Sequence, residues 1–118
     1  MNELEMKKRT KVFGVQVIEL LETLPHSRTA NALANQLIRS ATSVGANYRA
    51  ACRSQTKLVF VAKMSIVIEE ADETTYWLEL IRDAELIKAD LLSSLLDEAE
   101  QILKIMIASR KTAEQGNG

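Results

Sequence analysis

The sequence predicts an all-α fold, an antiparallel up-down-up-down four-helix bundle. Four long segments carry apolar residues at alternating three- and four-residue steps, the spacing of one helical face. The 118 residues include one proline and only four glycines, two of those in the last three positions, too few for a loop-rich or all-β chain. Short polar breaks near Pro25, Ser54 and Lys88 separate the segments. A chain of this length forms one domain with a core that needs neither disulfide nor metal. The bundle is expected over residues 1–112, with 113–118 as a disordered tail that has nothing to bury.

The first helix is expected over about 3–24, with Phe13, Val17, Leu20 and Leu24 on one face. Pro25 stops it, and Ser27 is positioned to cap the next. The second helix, about 28–53, has an unbroken seam of Ala30, Ala34, Leu37, Ala41, Val44, Tyr48 and Ala51. Gly45 lies inside that pattern at a cost of about 1 kcal/mol relative to alanine, which implies close packing or a slight bend. The third, about 56–84, repeats the seam with Phe60, Met64, Val67, Ala71, Thr74, Leu78 and Ile81. The fourth, about 89–111, has Leu92, Leu95, Ala99, Ile102 and Met106 on one face, with Leu96 and Leu103 beside it. Short connections between consecutive helices make them antiparallel neighbours.

The third helix is more apolar than one bundle face requires. Its triplets Val59-Phe60-Val61 and Ile66-Val67-Ile68 each cover about 200° of circumference. Trp77 and Leu80 continue the surplus beside the core seam. Deep burial within one bundle would absorb it, but self-association is the preferred reading, with Val59, Ile66, Trp77 and Leu80 at the subunit interface.

Charge is nearly balanced, 15 Lys and Arg against 16 Asp and Glu, yet unevenly placed. Residues 23–68 contain no acid but carry Arg28, Arg39, Arg49, Arg53, Lys57 and Lys63. Folding the segments antiparallel collects ten positive side chains against three acids (Glu3, Glu5, Glu114) at the end where the first helix starts. The opposite half, Glu98 among its acids, has thirteen acids against five positive side chains. Arg49, Arg53, Lys57, Lys63 and Lys111, supplemented by Lys7, Lys8 and Arg9, are therefore the candidate phosphate contacts for RNA or DNA. With only Tyr48 among the larger polar aromatics near that end, recognition would follow charge and shape rather than base sequence.

Catalytic and metal readings find little support. A di-iron carboxylate bundle needs two inward Glu-x-x-His pairs, and the single histidine, His26, lies beside a proline in a turn. Glu69, Glu70 and Glu73 cluster within about one turn, with no nucleophile or phosphate loop beside them. They read as a solvated or ion-paired face, with Arg39 opposite Glu70 and Asp72 as a structural partner. Ser43 and Asn47 lean toward the seam, and Asn47 is expected to bond across to the first or third helix. Cys52 reads as a small, mostly buried residue and fits a reducing compartment. The apolar runs 58–62 and 66–68 are far below spanning length, and the N-terminus lacks an apolar signal core. The expectation is a cytoplasmic protein with no cofactor, no metal and no membrane partner.

The stretch from residue 36 to 80 carries a family resemblance, most specifically in Ser43-Val44-Gly45-Ala46-Asn47-Tyr48-Arg49, Glu69-Glu70-Ala71-Asp72-Glu73 and Tyr76-Trp77-Leu78. Phe13, Val17 and the ending Ala108-Ser109-Arg110-Lys111 agree with it. The chain resembles the bacterial 23S ribosomal-RNA intervening-sequence proteins over nearly its whole length. The resemblance implies a left-handed four-helix bundle assembled as a homopentamer, with no established enzymatic activity. A similar fold serves as the accessory variability protein of diversity-generating retroelements, a basic pentameric barrel that binds nucleic acid and a reverse transcriptase. The combined expectation is a non-enzymatic ring whose basic end engages RNA or DNA phosphates. The alternative is a protein–protein adaptor ring with no direct nucleic-acid role.

Overall fold

Three of the four helices begin at a side-chain oxygen that accepts a free backbone N–H. A computed structural model describes residues 1–116 and contains only helices and turns among them. Asn2 Oδ1 accepts from Glu5 N (2.8 Å) at the start of α1, Glu3–Leu21. Ser27 Oγ accepts from Ala30 N (3.0 Å) to open α2, Arg28–Cys52. Thr56 Oγ1 accepts from Val59 N (3.2 Å) to open α3, Lys57–Asp83. Only α4, Ala89–Gln115, starts without a side-chain cap, behind Lys88. Each such cap contributes roughly 1 kcal/mol and sets where a helix can start.

Two helix ends differ from expectation. The first helix stops at Leu21 rather than near Leu24, because Pro25 disfavours helical geometry at the residue before it. The chain leaves through tighter turns, Thr23 N to Leu20 O (3.0 Å) and Leu24 N to Leu21 O (3.2 Å). Leu24 is still buried, so it keeps its core role without being helical. The last helix continues to Gln115, so the expected disordered tail is wrong over 113–115. No helix breaker precedes Gly116, and the Arg110–Glu114 pair (3.3 Å) supports the added turn. Residues 117–118 of that expected tail lie outside the described residues.

The helices close a ring of contacts, α1 on α2, α2 on α3, α3 on α4 and α4 on α1. The α2–α3 contact is the most extensive and α1–α4 the slightest. The result is an elongated body of 50 × 23 × 20 Å. Phe13, Leu37, Met64, Leu78, Ile81, Leu92, Ile102 and Met106 are fully enclosed along its axis. Each such side chain contributes roughly 1.5–3 kcal/mol through removal from water.

A few small and polar residues fix how the helices meet. Thr74 Oγ1 and Ser40 Oγ hydrogen-bond at 3.0 Å inside the α2–α3 contact, and both are buried. On the outer edge of the same contact, Arg39 bridges to Glu70 (3.1 Å) and to Glu73. Glu73 takes the place expected for Asp72. A Cβ added to Gly45 would lie 3.3 Å from Thr10 Oγ1, so this glycine lets α1 press onto α2. Thr10 has no freedom to retreat, being buried with its hydroxyl bonded back to Met6 O (3.0 Å) and Lys7 O (3.1 Å).

The α3 C-terminus closes with Leu86 N bonded to Ile81 O (3.2 Å) and Glu85 N to Arg82 O (3.0 Å), the Schellman pattern. Glu85 occupies its left-handed position at φ 57°, where glycine is favoured. Glu85→Gly should therefore stabilise the fold by about 1 kcal/mol, read as a raised denaturation midpoint. Gly45→Leu should do the opposite, costing about 2–3 kcal/mol by forcing α1 away from α2. Equal stability of Gly45→Leu and the parent would refute the close-approach role.

Candidate nucleic-acid interface

The antiparallel fold brings the start of α1, the α2–α3 turn and the end of α4 together at one end. Lys57 Nζ, in the first turn of α3, donates to Gly116 O at 2.7 Å, which ties the last turn of α4 to that end. Lys8, Lys11, Arg49, Arg53 and Lys111 are exposed, and Lys7, Lys57 and Lys63 are half-buried. No ion pair engages Lys7, Lys8, Lys11, Arg49, Arg53, Lys63 or Lys111 among the described residues. Their charge remains available to a partner.

Two arginines of the same end are already occupied. Arg9 donates from Nε to Glu98 Oε2 (2.7 Å) and from Nη2 to Glu98 Oε1 (2.6 Å). Its Nη2 also reaches Gln101 Oε1 at 2.9 Å. The hydrogen bond from Arg9 to Glu98 is the main reason its guanidinium holds its proton more tightly than usual. Sequence placed Glu98 in the acidic half; the fold instead sets it against Arg9 across the α1–α4 groove. Arg110 donates from Nη1 to Ser65 Oγ (3.1 Å), and its Nε lies 3.3 Å from Glu114 without hydrogen-bond alignment.

The free cations divide between surfaces. Lys7, Lys11 and Arg49 line a groove of about 270 Å³ between α1 and α2, with no acid among its lining residues. Its floor and walls are Thr10, Gly14, Thr42, Gly45 and Ala46, with Val15 and Ile18 at the far end. Lys8 lies in the wider α1–α4 groove beside Glu5, Asp97 and Glu98, a mixed-charge surface. Sequence reasoning missed the apolar groove. Its one sequence signal was Gly14, a glycine in mid-helix with no turn to serve.

The remaining singled-out residues are structural. Asn47 Nδ2 donates to Ser43 O (2.8 Å), and Ser43 Oγ to Arg39 O (2.7 Å). Both bonds stay within α2, which corrects the expected bond across to α1 or α3. A helical carbonyl one turn back satisfied the amide locally, so no interhelical partner was required. Glu73 is held below the ordinary carboxylate range chiefly by its hydrogen bond from Arg39. Trp77 Nε1 donates to the same carboxylate at 3.3 Å. On the outer face of α3, Val59 and Ile66 are 41% and 45% exposed, whereas Trp77 and Leu80 are half-buried. No group of three His, Cys, Asp or Glu positioned for a metal ion occurs among the described residues. Among the described residues, no helix is long and apolar enough to cross a membrane.

Cys52, half-buried near Tyr48 and Glu3, has its thiol pushed up mainly by burial, as burial pushes up the Tyr48 phenol. The neutral thiol is a poor nucleophile. Iodoacetamide should label Cys52 slowly at neutral pH, accelerating only above the usual thiol range. Rapid labelling at neutral pH would contradict this environment.

Comparison with known proteins matches residues 2–108 to the family described as 23S rRNA-intervening sequence protein. The chain is also similar to a crystal structure from Bacteroides thetaiotaomicron, a protein of unknown function from the S23 ribosomal protein family. The two are 33% identical with a TM-score of 0.86, over 95% of this chain and 100% of the other. Comparison with curated proteins gives no match.

Proposed function

The chain belongs to the 23S rRNA-intervening sequence protein family, and we propose that it is a non-enzymatic, self-associating scaffold whose basic end holds RNA or DNA phosphates. One observation carries the reading: seven cations at one end of the bundle, Lys7, Lys8, Lys11, Arg49, Arg53, Lys63 and Lys111, have no ion-pair partner among the described residues. Phosphate backbones match such a surface through contacts that ignore sequence and weaken with salt. Arg53 leads the set, and Lys57, outside it because its ammonium already donates to Gly116 O, faces Arg53 across the α2–α3 turn and adds to the same surface. Arg9 contributes less, because Glu98 already neutralises it.

Self-association is supported by the outer face of α3. Val59, Ala62, Ile66, Glu69, Glu73, Tyr76 and Leu80 alternate three- and four-residue steps, a second seam facing away from the core. The family resemblance makes five the expected number of copies. A ring with all subunits oriented alike would repeat the basic end around one rim, multiplying weak phosphate contacts. In this reading the assembly acts in the cytoplasm, in keeping with the unpaired Cys52.

Fluorescence anisotropy with generic single-stranded RNA should show binding at low salt that falls steeply as salt rises. The double variant Arg53→Glu with Lys57→Glu should lose at least tenfold in affinity, roughly uniformly across sequences. No binding at low salt, or binding indifferent to the double variant, overturns the nucleic-acid reading. Capture of a partner protein that survives nuclease and high salt would favour the adaptor alternative.

A further inference from the structure

The groove between α1 and α2 is concave, apolar and rimmed by cations, and nothing in the monomer fills it. Gly14 marks it as a built surface rather than a packing accident. Its missing Cβ would meet only Thr42 Cγ2, at 4.0 Å, an ordinary contact distance. Alanine would therefore fit there and form a better helix. Gly45, by contrast, is required by Thr10, so the two glycines have different causes. The packing of one subunit accounts for Gly45 and leaves Gly14 unexplained.

We infer that this groove receives the outer face of α3 from a second copy of the chain, which makes the subunit contact head-to-tail. The inference rests on the self-association proposed above. That α3 face is the counterpart of the groove in shape and sign. It is convex, with Ile66 and Tyr76 45% and 55% exposed, and it carries Glu69 between them. Glu69 is exposed and has no ion pair among the described residues, while Arg39 engages the neighbouring Glu70 and Glu73. Lengths also agree: Lys7 to Ile18 and Ile66 to Tyr76 each span about 15 Å of helix. Seated with the helices parallel, Glu69 meets the Lys7, Lys11 and Arg49 rim, and Tyr76 lies over Gly14, Val15 and Ile18. This leaves Lys8, Arg53, Lys63 and Lys111 as the phosphate-facing cations of the assembly. Groove and ridge are different patches, and a contact that engages one of each leaves a free groove on one copy and a free ridge on the other. Such contacts propagate until a ring closes.

A charge swap tests this arrangement on exposed residues. Lys11→Glu and Glu69→Lys should each weaken assembly roughly tenfold or more by light scattering and sedimentation. The double variant with both changes in one chain should recover the assembly, because every acidic groove then meets a basic ridge. Gly14→Ala should weaken assembly while raising the unfolding temperature measured at dilutions where the copies are dissociated, a combination that a merely structural glycine does not produce. A parent protein that stays monomeric at micromolar concentration overturns self-association itself. A parent that assembles, with single variants that assemble equally well or a double variant that fails to recover, overturns the groove assignment alone.

Discussion

The register between α2 and α3 is the constraint on which the other arrangements depend. Apolar seams on two antiparallel helices can slide by a whole heptad with little change in burial, since the same residue types recur. The buried Ser40–Thr74 contact restricts that freedom, because a slide would set each hydroxyl against apolar side chains and leave it only the carbonyl of its own helix, Leu37 O or Glu70 O. Arg39 adds a second restraint outside, pairing with both Glu70 and Glu73. With this hairpin pinned, Arg49, Arg53, Lys57 and Lys63 all fall at one end. Thr10 against Gly45 then sets the height of α1, and Arg9 with Glu98 ties α1 to α4.

The electrostatic character of the molecule follows from that geometry more than from composition. An almost neutral chain separates its charges along a 50 Å body because antiparallel helices return their ends to the same place. Some of the separation is cancelled where sides meet: Glu98 reaches Arg9, and Glu114 folds back on Arg110. The basic-end cations left without an ion pair among the described residues lie at the α2–α3 turn, along the grooves that flank α1 and, as Lys63 and Lys111, on α3 and α4. That distribution suits long-range attraction of a polyanion better than tight recognition of a small ligand.

Much of this architecture is legible in the residues, for an identifiable reason. The seams Leu37–Ala41–Val44–Tyr48 and Met64–Val67–Ala71–Leu78 follow helical periodicity, a local property, and all eight side chains are buried. Arg39 with Glu70 was legible too, since a short turn dictates which residues oppose one another. The α1–α4 groove was not, because Arg9 and Glu98 are 89 positions apart and meet only when the bundle closes. The bond of Asn47 was misjudged because its amide finds a carbonyl within its own helix. The end of α4 was set too early, since the polar composition of 113–115 concealed an uninterrupted helix.

The single tryptophan of the chain has an unusual address. Trp77 is half-buried: it packs against the edge of the core while its indole N–H donates to the carboxylate that Arg39 holds. Tyr76 stands edge-on to it, with ring centres 5.2 Å apart. The protein thus carries an intrinsic fluorophore between the core edge and the exposed Tyr76. Its emission is sensitive to solvent access and to the charge state of Glu73, and its quenching by a soluble collider measures how open that face is. The one indole of the chain therefore reads the outer edge of the α2–α3 hairpin, where Arg39 and Glu73 meet, as well as the fold beneath it.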